Sequence, residues 1–200
     1  MDTNALFKIG YGLYVLTAND GVKDNGCIIN TVMQVTSNPC QIAIAVNKMN
    51  YTNQMIQKTK KFNVSVLSEN AKFDTFKHFG FQSGKDVNKF ENYSDAKRSP
   101  NGLVYITRDT NAFMSAYVKQ EIDLETHTLF IAQLVASEVL SDTPTVTYDF
   151  YQKNIKPKPE QPKKSGWRCK ICGYIYEGEE LPPGYICPLC KHGVEDFEKI

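Results

Sequence analysis

The sequence lacks most of the features that would send it to a membrane, a nucleic acid or a classical dinucleotide fold. No apolar run approaches the roughly 18 residues that a membrane span requires. Neither charge sign dominates. Lys and Arg number 23 against 22 Asp and Glu, a net charge of +1, which gives no reason to expect nucleic acid or anionic lipid as the main partner. The opening Met1-Asp2-Thr3-Asn4 has no basic stretch leading into an apolar segment, so no secretory leader is expected and a cytoplasmic location is. No G-x-G-x-x-G opens a βαβ unit, which argues against a Rossmann cofactor domain. There is no internal repeat, and histidine is scarce, with three in 200 residues.

Cysteine, by contrast, is concentrated. Four of the six form two C-x-x-C pairs, Cys169/Cys172 and Cys187/Cys190, with 14 residues between them. In a reducing compartment this spacing reads as metal ligation rather than disulfide bonding. Each pair sets two thiolates on one tight turn, and two such turns can converge on one tetrahedral ion, zinc or a single iron. Spacing alone leaves that choice open. Two features favour iron: Gly173-Tyr174 after the first pair can aim backbone N–H groups at sulfur, and Trp167, Tyr174, Tyr176 and Phe197 can shield the centre from water. Residues 165–200 have little core of their own, so metal binding is expected to supply much of their stability. Cys27 and Cys40 stand apart and are expected to be buried free thiols.

Upstream, residues 151–164 (YQKNIKPKPEQPKK) carry three prolines, five basic residues and one acidic one. They read as a linker between a domain at 1–150 and one at 165–200, able to reach roughly 40 Å if extended. Residues 1–150 are expected to be mainly β with two short helices, a barrel-like architecture. Strands are predicted at Gly12 to Ala18, Cys27 to Thr36, Gln41 to Val46 and Phe62 to Leu67, and a long hairpin from Ala112 to Ile122 and His127 to Leu140. One helix should start near Asn50 to Thr52 and another should run from about Asn70 to His78 and stop at Gly80. Phe81 to Asn101 reads as a loop.

Three stretches of this first domain could hold an anionic aromatic cofactor. Gly26 to Pro39 places Asn30, Thr31, Gln34 and Thr36 among apolar neighbours, a mixture of donors and apolar wall that suits an isoalloxazine ring. Asn47 to Thr52 (NKMNYT) joins Lys48, Asn50 and Thr52 to a helix N-terminus, where free N–H groups favour phosphate. Ser83 to Phe90 (SGKDVNKF) brings Lys89, and His127 opens a later strand. Each taken alone also fits an ordinary half-buried strand, a plain helix cap or a structural histidine.

In succession, GLYVLTA, NTVMQVTSNP, NKMNYT, HFGFQSGKDVNKF and THTLFIAQLVASE resemble the flavin reductase family with its FMN-binding split barrel, its flavoredoxin-like members in particular. The tail, with CKICGYIY, CPLC and Trp167, resembles a rubredoxin, with the compact spacing of the rubredoxin-type domain of rubrerythrins. The whole arrangement is similar to the high-molecular-weight rubredoxins. That resemblance implies contacts from Asn30, Thr31, Val32 and Gln34 to the isoalloxazine, and from Lys48, Asn50 and Thr52 to the ribityl phosphate. Lys89 is implied near the phosphate or ring edge, and His127 as the residue near the flavin N5 or the nicotinamide. Cys169, Cys172, Cys187 and Cys190 would hold one iron ion. It implies a homodimer in which FMN takes hydride from NADH or NADPH and electrons leave through iron, typically to a flavodiiron protein that reduces oxygen or nitric oxide. An adaptor reduced by a separate reductase, a general flavin or ferric reductase, and a non-redox module with a zinc ribbon are the competing readings.

Overall fold

Two residues determine how the first unit is closed. A computed structural model describes residues 1–157 and 166–200, which fall into two compact units, Met1–Lys156 and Pro157–Ile200. In the first unit, β1 (Tyr14–Asn19), β2 (Asp24–Ile29), β3 (Val32–Ser37) and β4 (Cys40–Asn47) precede α1 (Tyr51–Thr59). Then come β5 (Lys61–Leu67), α2 (Phe73–Gly80), the short pair β6 (Ala96–Arg98) and β7 (Val104–Ile106), and the long β8 (Thr110–Leu124) and β9 (His127–Val139). Seven strands form one antiparallel sheet in the order β2-β1-β5-β8-β9-β4-β3. β2 and β3 are therefore its two edges, yet only Asn30 and Thr31 separate them. Three extended steps of about 3.3–3.6 Å cannot cross a seven-stranded sheet, so it must curl until its edges meet.

This corrects the single strand expected from Cys27 to Thr36. β2 pairs with β1 and β3 with β4, with Asn30 and Thr31 between them. Two further differences lie in the stretch expected as loop and linker. β6 and β7 pair inside and just beyond the Phe81 to Asn101 segment, each only three residues long and so too short to announce itself. Tyr148–Phe150 and Tyr151–Ile155 are helical, one turn of them π-helical. Tyr151 is buried, with its ring 4.4 Å from that of Phe76. The expected linker thus begins with residues packed on the barrel, and its residues 158–164 lie outside the described residues. Tyr151→Ala is expected to destabilise the barrel by about 3 kcal/mol, as loss of a buried ring typically does, in urea unfolding followed by far-UV circular dichroism.

β1 is buried on both faces, which is why its apolar run is unbroken. Leu16 and Ala18 face the barrel interior with Ile44, Phe62, Val64, Phe130 and the α1 residues Met55 and Ile56. Leu13 and Val15 face a second cluster with Phe76 and Phe79 of α2, Ile106, Val146 and Tyr151. Each fully buried side chain of this kind contributes roughly 1.5–3 kcal/mol. α1 is capped by Asn50, whose side chain accepts from the Thr52 N–H, as the sequence predicts. The β8–β9 hairpin turns on Glu125 and Thr126 alone, with Glu125 at φ 59°.

The second unit is a three-stranded sheet of order β11-β10-β12, made of β10 (Trp167–Cys169), β11 (Ile175–Tyr176) and β12 (Phe197–Lys199). Among the described residues its hydrophobic core is Cys169, Cys187 and Phe197, rimmed by Trp167, Tyr174, Tyr176, Leu181 and Tyr185. No helix among the described residues is long and apolar enough to cross a membrane.

Candidate functional site

In the small unit the two C-x-x-C pairs form matching turns. Gly173 N–H donates to Cys169 C=O (2.8 Å) and Lys191 N–H to Cys187 C=O (3.0 Å), and Gly173 and Lys191 both take positive φ, 76° and 64°. The turns bring all four sulfurs within 4.8 Å of one another, with Cys169–Cys190 and Cys172–Cys187 at 3.5 Å. A tetrahedral ion about 2.3 Å from each sulfur would set them about 3.8 Å apart, so the cluster fits one such ion. Backbone N–H groups reach the sulfurs: Tyr174 to Cys172, Leu189 and Cys190 to Cys187, and His192 to Cys190. Burial resists ionisation of Cys187, but the N–H groups of Cys190 and Leu189 and the neighbouring thiols outweigh it and bring its pKa down to about 6. Cys169 and Cys187 are buried, while Cys172 is exposed.

In the barrel unit, a cleft of about 300 Å³ lies where β2, the start of α1 and the segment after α2 converge. Ile28, Met49, Phe79 and Phe81 give it apolar walls, and Asn50, Tyr51, Ser83 and Lys89 give it polar ones. The α1 N-terminus adds partial positive charge. Lys89 is 97% buried by its 3% exposure, and its Nζ donates to Gly26 C=O (2.8 Å) and Phe79 C=O (2.9 Å). An ammonium has three N–H donors, so one is left for a ligand. Burial pulls the Lys89 pKa down, with the adjacent Cys27 opposing. Burial also pushes the Cys27 thiol up, against hydrogen bonds from Thr52 and Asn50 and the Lys89 charge. At the mouth, Lys23 and Lys85 lie 5.3 and 6.0 Å from the Tyr51 ring centre. Gly84 closes the loop directly over Asn25, where a Cβ would meet Oδ1 at 2.1 Å, and that buried Oδ1 has no partner among the described residues.

Of the residues expected to bind a cofactor, the structure brings Asn50 and Lys89 to this cleft, with Thr52 buried behind Asn50 and accepting from Asn25 Nδ2 (3.0 Å). Lys48 is not there. Its Nζ pairs with Asp123 on the β8–β9 hairpin at 2.6 Å, an acidic partner from a segment 75 residues away that local sequence does not reveal. Asn30 lines a separate small cleft with Leu6, Ile9, Tyr11 and Tyr148. The Thr31 hydroxyl donates to Ala45 C=O (2.6 Å), Val32 packs on the barrel core, and Gln34 is exposed on the edge strand β3. His127 sits opposite Asn47 in the sheet with Nδ1 2.9 Å from the Thr126 hydroxyl, away from the cleft. The expectation for the two isolated cysteines divides as well: Cys27 is buried, but Cys40 opens β4 beside an uncovered edge and is exposed. Cys27 was expected only as a buried thiol, and Tyr51, Phe79, Lys23 and Lys85 were not singled out by the sequence, because only the fold gathers them from separate segments.

Comparison with known proteins decides the family. Residues 6–157 match the flavin reductase like domain and residues 167–198 the rubrerythrin, rubredoxin-like domain. A high molecular weight rubredoxin of Moorella thermoacetica is 34% identical over 232 aligned positions that cover 100% of both chains. The chain belongs to the high-molecular-weight rubredoxin family. A ferric-chelate reductase (NAD(P)H) of Archaeoglobus fulgidus is 37% identical over 158 positions, 79% of this chain and 93% of that one. An NADH:FAD oxidoreductase of Streptomyces globisporus shares the fold with a TM-score of 0.65 at 19% identity, over 72% of this chain and 84% of that one. The chain is therefore an oxidoreductase of mainly β, flavin reductase-like fold with a rubredoxin-like tail. Its cofactors are a flavin and iron at the four cysteines. The residues present fit both groups: a cleft with apolar walls, a buried ammonium with a spare donor, and four converging thiols.

Proposed function

We propose that this protein is an NAD(P)H-dependent electron-transfer flavoprotein in which FMN and a four-cysteine iron convert hydride reduction into single-electron delivery to a partner protein. Bound FMN supplies acceptance of two electrons and their release one at a time, and iron supplies one-electron exchange. The observation that carries the reading is the presence in one chain of a cation-lined cleft and a four-sulfur cluster of the right dimensions.

The chain's own contribution follows from its residues. Lys89 and Asn50, with the α1 dipole, would hold the phosphate, with Thr52 supporting Asn50 from its buried place behind it. Asn30 and Thr31, which follow β2, and Val32 and Gln34, which open β3, are proposed to flank the ring. Gln34 lies on an open edge strand, so this assignment is coupled to homodimerisation. Met33 and Val35 on β3, Ile122 and Leu124 on β8 and Val135 on β9 are exposed apolar side chains, a pattern that a second copy of the chain would cover. Lys48 and His127 are left out of the proposed set, Lys48 because Asp123 takes its charge and His127 because it lies away from the cleft. In the iron unit, Ile171, Ile186 and Leu189 are exposed near Cys172 and form the proposed docking face for a protein acceptor of the flavodiiron class. Residues 1–156 then form the reductase domain and 166–200 the delivery domain, in a cytoplasmic protein.

With excess NADH, no acceptor and no oxygen, both the flavin and the iron visible bands are expected to bleach. Iron that stays oxidised while flavin reduces overturns the internal transfer. Negligible steady-state NADH consumption by the purified protein favours the adaptor fed by a separate reductase.

A further inference from the structure

Lys89 is held at both ends, and its second clamp comes from a residue outside the cleft. Its side chain is fixed by Gly26 and Phe79. Its backbone carbonyl accepts from His78 Nε2 at 2.7 Å. A carbonyl only accepts, so His78 must carry its proton on Nε2, in either the neutral or the charged ring. The ring itself is well fixed. It stacks on Tyr93 (centroids 5.3 Å, 25° between planes) and meets Phe79 edge-on at 4.7 Å. His78 lies in α2 and is half-buried. By contrast, the segment that carries Lys89 has little regular structure. Apart from those of Lys89, the described hydrogen bonds between Phe81 and Glu91 are short-range turns on Ser83 and Asn88, Phe81 N–H to Lys77 C=O, Tyr93 N–H to Phe90 C=O, the Gln82 amide to His78 C=O, and Lys23 Nζ to Gly84 C=O. The Lys89 carbonyl is thus hydrogen-bonded to α2 through the His78 imidazole, beside the Phe90 ring that packs on Phe79 of α2.

We propose that His78 is a positioning residue for the flavin phosphate site, setting the Lys89 backbone so that its ammonium presents the unspent N–H to the cleft. The inference rests on the reading of Lys89 as a phosphate-holding residue. It assigns work to a histidine that touches neither cleft nor metal, while His127, the histidine the sequence pointed to, lies elsewhere. Asp74, Lys72, Arg108 and Asp109 line a second pocket with His78, together with Thr75 and Tyr93. Protonation of the ring's second nitrogen leaves the bond to Lys89 intact, so the role does not depend on the ring's charge.

A double-mutant cycle on the full-length protein tests this, read by FMN titration and by melting temperature. His78→Phe keeps a ring against Tyr93 and Phe79 but removes the donor, and is expected to weaken FMN binding roughly tenfold, at the upper end for one lost hydrogen bond. His78→Gln restores an N–H donor and should return affinity to within about threefold of the parent. In a Lys89→Met background, His78→Phe should have no further effect on affinity. An equal loss with and without Lys89, or no rescue by glutamine, overturns the proposal and makes His78 a packing residue only. Lys89→Met with unchanged FMN affinity refutes the underlying reading instead. If His78→Phe does not fold, His78→Met takes its place in the same cycle. Hydrogen exchange across residues 83–91 then provides a second readout, and the methionine variant should exchange faster there than the glutamine one.

Discussion

Cys187→Ser is expected to abolish metal binding, unfold the C-terminal unit and end electron delivery to a protein acceptor, while NADH oxidation at the flavin persists. The reason is the size of the unit's core. Three residues, two of them ligands, are buried, and an apolar core that small cannot offset the conformational entropy of ordering some 35 residues. Metal binding supplies the deficit, on the order of 10–16 kcal/mol for four-ligand sites in small domains. Cys187 is fully buried and accepts N–H bonds from Leu189 and Cys190. A serine hydroxyl there neither reaches the ion as a soft thiolate would nor escapes to water. The protein has one tryptophan, Trp167, and it packs against this core. Its emission therefore reports on the tail alone. A red shift on Cys187→Ser, with stoichiometric flavin retained and metal lost, is the expected outcome. Unchanged emission and metal content would refute the assignment of the centre.

Lys89→Met is expected to weaken FMN binding by about 10- to 100-fold. A hydrogen bond to a charged group contributes roughly 1.5–3 kcal/mol, and Lys89 is the one ammonium at the floor of the cleft. The pH dependence gives a second, sharper test. Burial lowers the Lys89 pKa in the free protein. Phosphate binds the ammonium form, so affinity is full at low pH and falls as pH rises through that depressed pKa, beginning below the ordinary lysine range. Lys89→Met should remove this pH limb as well as the affinity. The variant also leaves the Gly26 and Phe79 carbonyls without their donor, so a stability loss of about 1–3 kcal/mol is expected and is read separately by thermal unfolding. A variant that loses stability but retains both affinity and pH profile would place the phosphate elsewhere.

The metal centre was legible because its chemistry is local. Two C-x-x-C turns define their own geometry, and the Gly173-Tyr174 pair foretold an N–H directed at Cys172, which the structure contains. α1 and its Asn50 cap were legible for the same reason, as was the long β8–β9 hairpin. The proposed flavin cleft was legible only in part. Asn50 and Lys89 meet there, but the pairing of Lys48 with Asp123 and the clustering of Cys27, Tyr51 and Phe79 depend on contacts between distant segments. The break at Asn30-Thr31 shows the limit most clearly. Alternation of apolar residues tells which side of a strand is buried, but it carries no information about which neighbour a strand pairs with. The sequence by itself determined the ligands, the strands' inner faces and the family resemblance, since these are written in short-range spacing. Only the closure of the sheet decided which polar groups share a cavity, because burial and pairing are properties of the whole packed barrel.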